Sequence, residues 1–397
     1  AHEPLRLRDA IAWALDGSGP AVQPVDTGSG SFGGGHASRT ASDDHEGDAP
    51  AEEVPDDVAV VIATSGSSGY PKRVALSAAA LLASATATET ALGGPGRWVL
   101  AMPAHYVAGV QVLVRSIVAG TEPVGVPGGP FSEHAFADAV AAARHGGVRV
   151  YSSVVPAQVA RLLQHDAGRE ALAALDAVIV GGQAIPAALR ERAEASGVRL
   201  VRSYGSSETA GGCVYDGRAL DGVDVRIVDG QIEIGGTTLA QGYLGDDART
   251  EAAFHEADGG RWFRTGDAGE LRDGILDVLG RIDNVIVSGG VNVSLDRVEA
   301  TVREHAGFGD AVVVGVPDAR WGATPVVVVA QEVAGAADAS SLTALRSDVG
   351  ARLGVAARPA RVAVVGSIPL LSTGKPDRRA LAAQVAEGLD GTAPTDG

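Results

Sequence analysis

A chain of 397 residues, 45% hydrophobic and 20% charged, is long enough for two or more domains with sizeable cores. Its formal charge of −17 argues against a nucleic-acid or anionic-membrane partner, since either needs a basic face. A single cysteine, Cys213, excludes an intrachain disulfide and a Cys-rich zinc site. With no apolar run of membrane-spanning length and no basic-then-apolar start, the expected compartment is the cytoplasm.

Residues 5–15 read as a short amphipathic helix. Residues 17–57, rich in Gly, Ser, Asp and Pro, read as a flexible linker. An apolar run of strand length, 58–63, leads into Thr64, Ser65, Gly66, Ser67, Ser68, Gly69, Tyr70, Pro71 and Lys72, and an Ala/Leu-rich helix is expected from Leu76. Strand, glycine and hydroxyl loop, lysine and helix suit an anion. Glycines let backbone N–H groups turn inward, hydroxyls donate, and the ammonium adds charge. The order is not that of a Walker loop, because Pro71 precedes Lys72 and Arg73 follows it. A Ser/Gly-rich surface turn would account for such a stretch taken alone. The lysine count argues against that: 30 of the 32 basic residues are Arg, and the two lysines, Lys72 and Lys375, both lie in loops bearing glycine and hydroxyls.

Farther on, strands are expected at 98–102, 148–154, 177–180 and 198–201, and helices at 110–118, 156–164 and 186–196. Apolar strands that end in glycines or hydroxyls before a helix imply an α/β fold, a largely parallel sheet flanked by helices. Ligands gather at the strand C-termini of such sheets. After Tyr215 the texture changes. Residues 223–228 and 231–234, joined through Asp229-Gly230, signal a hairpin, and more short strands up to Gly280 suggest a barrel-like β segment. Beyond Asn284, β runs at 285–287, 311–316 and 325–329 with helices at 294–304 and 341–353 describe a smaller α+β domain of roughly 110 residues.

Several short stretches could carry chemistry. Tyr204-Gly205-Ser206-Ser207-Glu208-Thr209 joins an aromatic face suited to a nucleobase with a carboxylate suited to Mg²⁺; in isolation it also reads as a helix N-cap. Asp267 in Thr265-Gly266-Asp267 could meet ribose hydroxyls or sit in an ordinary turn, and Arg281 with Asp283 could be a linker with a surface ion pair. The nine histidines show no metal-ligand spacing, and His105 beside Tyr106 is the one in a loop expected near the site.

Taken in order, the hydroxyl loop with Lys72, Gly181-Gly182, Tyr204 to Glu208, Asp267, Arg281 to Asp283, and Lys375 resemble the adenylate-forming superfamily of acyl-CoA synthetases, luciferases and peptide-synthetase adenylation domains. The resemblance runs over 57–381. Within it the likeness is to the o-succinylbenzoate–CoA ligases of menaquinone biosynthesis, on residues 111–116, 152–158 (Ser153 and Gln158 among them) and 206–217. The resemblance implies a large domain over 1–282, a hinge at Asp283 and a small mobile domain over 284–397.

It also implies roles. Thr64, Ser65, Gly66, Ser67, Ser68, Gly69 and Lys72 would wrap the phosphates of ATP. Gly181, Gly182 and Gln183 would line the adenine pocket, with Tyr204 on the base. Ser207 would meet a phosphate oxygen, Glu208 would hold Mg²⁺, and Asp267 and Arg281 would take the ribose. His105, Tyr106, Ser153 and Gln158 fall to the acid. Arg115, read from the residues as a cation in an otherwise apolar helix, would meet the acid's second carboxylate or else form an ion pair at the helix surface. Gly289 and Gly290 would line the channel for coenzyme A, and Lys375 would bridge the acid and the α-phosphate. The chain departs from the family pattern at Arg73, where Gly is common, at Tyr106, where His is usual, and at Ser207, where Thr is usual. The implied partners are a small carboxylic acid, ATP and coenzyme A, with no nucleic acid, no membrane insertion, and room for a homodimer. Another acid–CoA ligase or a carrier-loading adenylation enzyme would share these motifs. A non-catalytic nucleotide-binding relative would have less reason to keep both lysines and Glu208.

Overall fold

Val60, Ile62, Val74 and Leu76 are fully or almost fully buried, and they decide the first motif. The computed structural model describes residues 3–25, 53–65, 71–127, 131–331, 339–370 and 376–390. α1 (Glu3–Leu15) packs Leu7 and Ile11, one turn apart, into the main core. Part of the expected linker belongs to that core too. Val22 is buried, and its N–H donates to the Ala59 carbonyl at 2.9 Å, which extends the sheet edge. Residues 26–52 lie outside the described residues.

β1 (Val58–Ser65) and β2 (Pro71–Ser77) form an antiparallel hairpin with Thr64 opposite Lys72. This corrects the expected strand–loop–helix order. Val74 and Leu76 face the main core while Ala75 packs with Val58 and Val61 on the other face, so the chain stays extended through Leu76. α2 (Ala78–Leu92) begins only after Ser77, whose hydroxyl accepts from Ala80 N at 3.1 Å, and it closes on Gly93 at φ 98°.

β3 (Arg97–Leu100), α3 (Val107–Val118), β4 (Val124–Gly125), α4 (Glu133–Ala143), β5 (Val150–Val154), α5 (Pro156–Leu162), α6 (Asp166–Ala173), β6 (Ala177–Val180), α7 (Ala187–Ala195) and β7 (Leu200–Ser206) then alternate. Their strands run in the order β4-β3-β5-β6-β7, all parallel, and β8 (Gly211–Tyr215) and β9 (Arg218–Ala219) join antiparallel. β5 and β6 are buried at every position, as apolar strands covered on both faces must be. One core holds α1, α2 and α3 and the other holds α4 to α7, one cluster for each set of helices.

β10 (Val223–Val228) and β11 (Gln231–Gly236) turn at Asp229 and Gly230, both at positive φ, as the hairpin signal requires. β12 (Gly242–Tyr243) pairs with β2 and fixes Tyr243 opposite Val74. After α8 (Asp247–Ala253), the strands β13 (Phe254–Ala257), β14 (Gly260–Arg272) and β15 (Ile275–Arg281) complete an antiparallel five-stranded sheet, the expected barrel-like segment.

The remaining elements are β16 (Val285–Ser288), β17 (Val291–Ser294), α9 (Leu295–Arg303), β18 (Val312–Asp318), β19 (Gly322–Ala330), α10 (Ala339–Leu353), β20 (Arg361–Val365) and α11 (Arg378–Asp390). They surround a second five-stranded sheet with α9 and α10 on one core and α11 on another. Among the described residues, no core cluster joins residues up to Leu276 with those from Ile286 onward.

Candidate active site

Three strand ends meet at Lys72. Its ammonium lies 5.2 Å from the centre of the Tyr243 ring, a cation–π contact that the β2–β12 pairing sets up. Thr64 Oγ1, on the facing strand, donates to the Lys72 carbonyl at 3.4 Å. The Tyr243 hydroxyl donates to Glu208 Oε1 at 2.9 Å, and burial, with Glu208 beside it, pushes the phenol well above its usual pKa, so it stays a donor. Glu208 sits on a single 3₁₀ turn, Ser207–Thr209, that follows β7. The expected N-cap is present only by half. Thr209 Oγ1 accepts from Ser206 N at 2.9 Å while Ser206 Oγ has no partner, and Ala240 N holds the Glu208 carbonyl at 2.8 Å, so the carboxylate takes no part in the cap. Ser207 is buried beside it.

A small polar cavity of about 210 Å³ opens beside Lys72, lined by Arg73, Tyr243, Asp246 and Arg249 among others. Arg73 donates to the Leu244 carbonyl at 3.4 Å, so the departure from Gly here ties β2 to the chain beyond β12. Side chains of 65 and the residues Gly66, Ser67, Ser68, Gly69 and Tyr70 lie outside the described residues, as does Lys375.

A second cluster adjoins the first. Tyr204 donates to Asp267 Oδ2 at 2.7 Å, and the Arg281 guanidinium reaches Asp267 Oδ1 at 3.2 Å and the Thr265 carbonyl at 2.9 Å. The same guanidinium grips both oxygens of Asp283, at 3.0 and 3.1 Å. Asp267 and Arg281 are direct cross-strand partners on β14 and β15. Gly266, at φ 73°, makes room: a Cβ there would stand 2.8 Å from Arg281 Nη2. Hydrogen bonding to Arg281 holds the Asp283 carboxyl below the usual carboxylate range, and the positive charge of Lys72 adds to the effect.

The third part is apolar with one charge in it. Arg115 on α3 is 5% exposed, its guanidinium 4.9 Å over the Trp98 ring. It donates to the Tyr215 hydroxyl at 3.3 Å and to Ser153 Oγ at 3.5 Å, while Nε has no partner. Burial drives its pKa down, and among the described residues no carboxylate answers it. The surface ion pair that would have explained an arginine here is ruled out. Gln111, one turn earlier, donates to the Ala210 carbonyl at 2.7 Å, as Ser84 does at 3.1 Å, and so anchors the turn that carries Glu208. His105 and Tyr106, with ring centres 4.1 Å apart, stand at the N-terminus of α3.

Some expectations change. Gln158, assigned to the acid, gives its amide to scaffold: Oε1 accepts from Val155 N at 3.0 Å and Nε2 donates to the Ala101 carbonyl at 3.1 Å, which caps α5 and ties it to the end of β3. Gly181, Gly182 and Gln183 follow β6 directly, with Gly181 against the Ser203 carbonyl. Gly289 and Gly290, both at positive φ, form the exposed tip of the β16–β17 hairpin. Tyr243 and Tyr215 were not singled out as site residues. Tyr215 lay in a stretch already quoted for the resemblance, whereas a lone Tyr243 carries no signal that sequence reading could use.

Glu208 is a single carboxylate with one oxygen bonded to Tyr243, and among the described residues no group of three metal-ligating side chains exists. That donor set fits Mg²⁺ held by one carboxylate together with phosphates and water, and not an all-protein cage. A lysine and a carboxylate brought to one corner of an α/β fold suit a nucleotide-dependent enzyme, and comparison with known proteins gives its kin. The model for the AMP-binding enzyme family matches residues 16–244 and that for the AMP-binding enzyme C-terminal domain matches 297–375; the chain belongs to this family of adenylate-forming enzymes. It is 42% identical over 390 residues, 97% of this chain and 96% of the relative, to the "Probable 2-succinylbenzoate–CoA ligase" of Mycobacterium tuberculosis. It is 32% identical to a 2-succinylbenzoate–CoA ligase of Listeria monocytogenes, over 81% of this chain and 69% of that one. Among solved structures, o-succinylbenzoate CoA synthetase of Bacillus subtilis with the acyl-adenylate intermediate OSB-AMP superposes with TM-score 0.68 at 26% identity, covering 82% of this chain and 69% of that one. ATP-bound MatB of Rhodopseudomonas palustris shares the fold, with TM-score 0.72 at 23% identity over 83% and 69% of the two chains.

Proposed function

We propose that the protein ligates 2-succinylbenzoate to coenzyme A at the expense of ATP, through an acyl-adenylate, as a step of menaquinone biosynthesis. The observation that carries the choice of acid is Arg115, a buried guanidinium with no carboxylate partner among the described residues, in contact with Trp98, Ser153 and Tyr215. Such a charge calls for an anion that arrives with the substrate. A diacid supplies it and still has a second carboxylate to activate. The ligases named for this acid among the relatives support the same reading.

In the first half-reaction a carboxylate oxygen of the acid attacks the α-phosphorus of ATP in line, and the bond to the pyrophosphate oxygen breaks. In the second, the thiol of coenzyme A attacks the acyl carbon and AMP leaves with the bonding pair. Two anions must approach in the first step, so catalysis rests on neutralisation and alignment. Lys72 and the loop before it hold the phosphates, Ser207 donates to a phosphate oxygen, and Asp267 and Arg281 take the ribose. Tyr204 lies along the base, beside Gly181, Gly182 and Gln183. Glu208 would hold Mg²⁺, which when bound offsets phosphate charge. Lys375 bridges the attacking carboxylate and the α-phosphate. The small domain then turns about Asp283, Lys375 withdraws, and Gly289 and Gly290 line the thiol channel. ATP and coenzyme A are pools of the cytoplasm, and the reading places the enzyme there; among the described residues no helix is long and apolar enough to cross a membrane.

The test is thioester formation from 2-succinylbenzoate, ATP and coenzyme A, run beside a panel of mono- and dicarboxylic acids with pyrophosphate release as readout. Turnover of another acid with 2-succinylbenzoate inert would overturn the choice of acid. No pyrophosphate release with any acid would overturn the enzyme.

A further inference from the structure

The segment between the two sheets is held by one carboxylate. Asp296, in the first turn of α9, accepts the backbone N–H of Arg281 at 2.7 Å through Oδ2 and the Asn284 side-chain amide at 2.7 Å through Oδ1. Arg281 precedes Asp283 in the chain, and Asp296 and Asn284 follow it. The bond from Arg281 N therefore joins the part before the hinge candidate to the part after it. Its approach is close enough to dictate the residue opposite: a Cβ on Gly280 would lie 2.4 Å from Asp296 Cβ and 2.7 Å from its Oδ2.

Asp296 is also tied to the start of α11. Arg378, three residues after Lys375 in the chain, reaches Asp296 Oδ1 at 3.4 Å. The same guanidinium forks onto buried Glu299, at 2.5 and 2.9 Å, and donates to the Val313 carbonyl at 2.9 Å. Glu299 is fixed in turn by Val313 N at 2.8 Å and Arg303 at 2.8 Å. Hydrogen bonds and one ion pair thus lead from the backbone beside Asp283, through Asp296, to Arg378 at the start of α11. Asn284 and Arg378 lie on Asp296's own side of residue 283 and would travel with it. Arg281 N–H would not.

We infer that Asp296 is a positioning residue that latches the small domain in the pose used for adenylation and must let go of Arg281 N–H before thioester formation. The pose is assigned from the β16–β17 tip: Gly289 and Gly290 are exposed, as are Val287 (57%) and Val291 (53%) beside them, so the tip does not line a channel in this arrangement. Rotation about residue 283 moves Asp296 while Arg281 stays bonded to Thr265 and Asp267, and the latch cannot span both arrangements. No role for Asp296 follows from the hydroxyl loop, the ribose cluster or the acid pocket. The inference rests on the proposed two-step reaction for its kinetic consequence, though not for the contact itself.

The experiment uses the full chain and two readouts. Asp296→Ala should slow ATP–pyrophosphate exchange by about tenfold, the effect of losing one charge-assisted hydrogen bond. Thioester formation from supplied acyl-adenylate and coenzyme A should stay within about twofold of the parent or rise, since that step no longer begins by breaking the latch. Asp296→Asn, which keeps an acceptor for Arg281 N–H, should recover most of the exchange rate. In parallel, the Arg281 amide should be protected from hydrogen exchange in the parent and lose that protection about tenfold in Asp296→Ala. Equal slowing of both half-reactions, or slowing of the second alone, overturns the latch, and so does fast exchange of the Arg281 amide in the parent. An exchange-protected amide in a parent protein that adenylates no acid would leave the contact standing and remove the proposed reaction instead. Gly280→Ala, which pushes the carboxylate away without removing it, should reproduce the Asp296→Ala pattern; parent-like behaviour there counts against the latch.

Discussion

Tyr243 donates its phenolic hydrogen to Glu208 at 2.9 Å while its ring carries the Lys72 ammonium 5.2 Å from its centre. One side chain thus sets the spacing between the Lys72 cation and the Glu208 anion. Tyr243→Phe keeps the ring and the cation–π contact and deletes the hydrogen bond. We expect kcat/KM for ATP to fall about tenfold with a weaker dependence on Mg²⁺ concentration, and Glu208→Gln to cost about 10²–10³-fold. Steady-state titration of Mg²⁺ against each variant checks this, and an unchanged Mg²⁺ curve for Tyr243→Phe would mean the bond does no positioning.

Arg115 gives a two-sided expectation. Arg115→Met should raise KM for 2-succinylbenzoate by about 10–100-fold, the worth of one or two charge-assisted hydrogen bonds, and leave KM for ATP within about twofold. The same variant should melt at or above the parent temperature, because it removes a buried charge without a counter-ion. A loss of stability with KM unchanged would make Arg115 a packing residue.

Lys375→Ala should lower acyl-adenylate formation by about 10²–10⁴-fold and spare thioester formation from supplied adenylate. Equal loss in both halves, measured on the same preparation, would refute a lysine that acts in one pose only.

Arg281 holds the Asp283 carboxyl below the ordinary range, so the charged clasp is intact above the ordinary carboxylate pKa near 4 and is lost as pH falls through the lowered value. The pair is partly exposed and its contribution is small. Melting curves through the acid range should converge for the parent and Asp283→Asn as pH drops. A gap that widens in acid would reverse the assigned sign.

Cys213 is fully buried, and burial pushes its thiol pKa up to about 12. Disulfide reagents at neutral pH should label it only through unfolding, so the labelling rate should track denaturant concentration. Rapid labelling of the native protein would contradict that burial.

Much of this was legible in the chain. Apolar runs such as 177–180 have no polar alternation and fit a covered parallel strand, and Asp229-Gly230 meets the backbone demand of a two-residue hairpin turn. The order of the motifs pointed to the family before any contact was known. What was missed is long-range. The turn into α2 was placed too early because Val74, Ala75 and Leu76 suit helix and strand alike, and the pairing with Val61 and Tyr243 decides between them. Val22 looked like part of a polar linker because one valine makes no periodicity, and its bridge to Val60 is visible only in space. Gln158 looked available for substrate because its two backbone partners, Val155 and Ala101, come from different elements.

The stranded guanidinium of Arg115 has a further bearing on selectivity. An acid with a neutral tail would leave the buried Arg115 charge without a counter-ion, whereas a diacid would supply one. Discrimination of that kind needs no steric gate and no editing step. It would reject most firmly those acids that match the substrate in shape and lack its second charge.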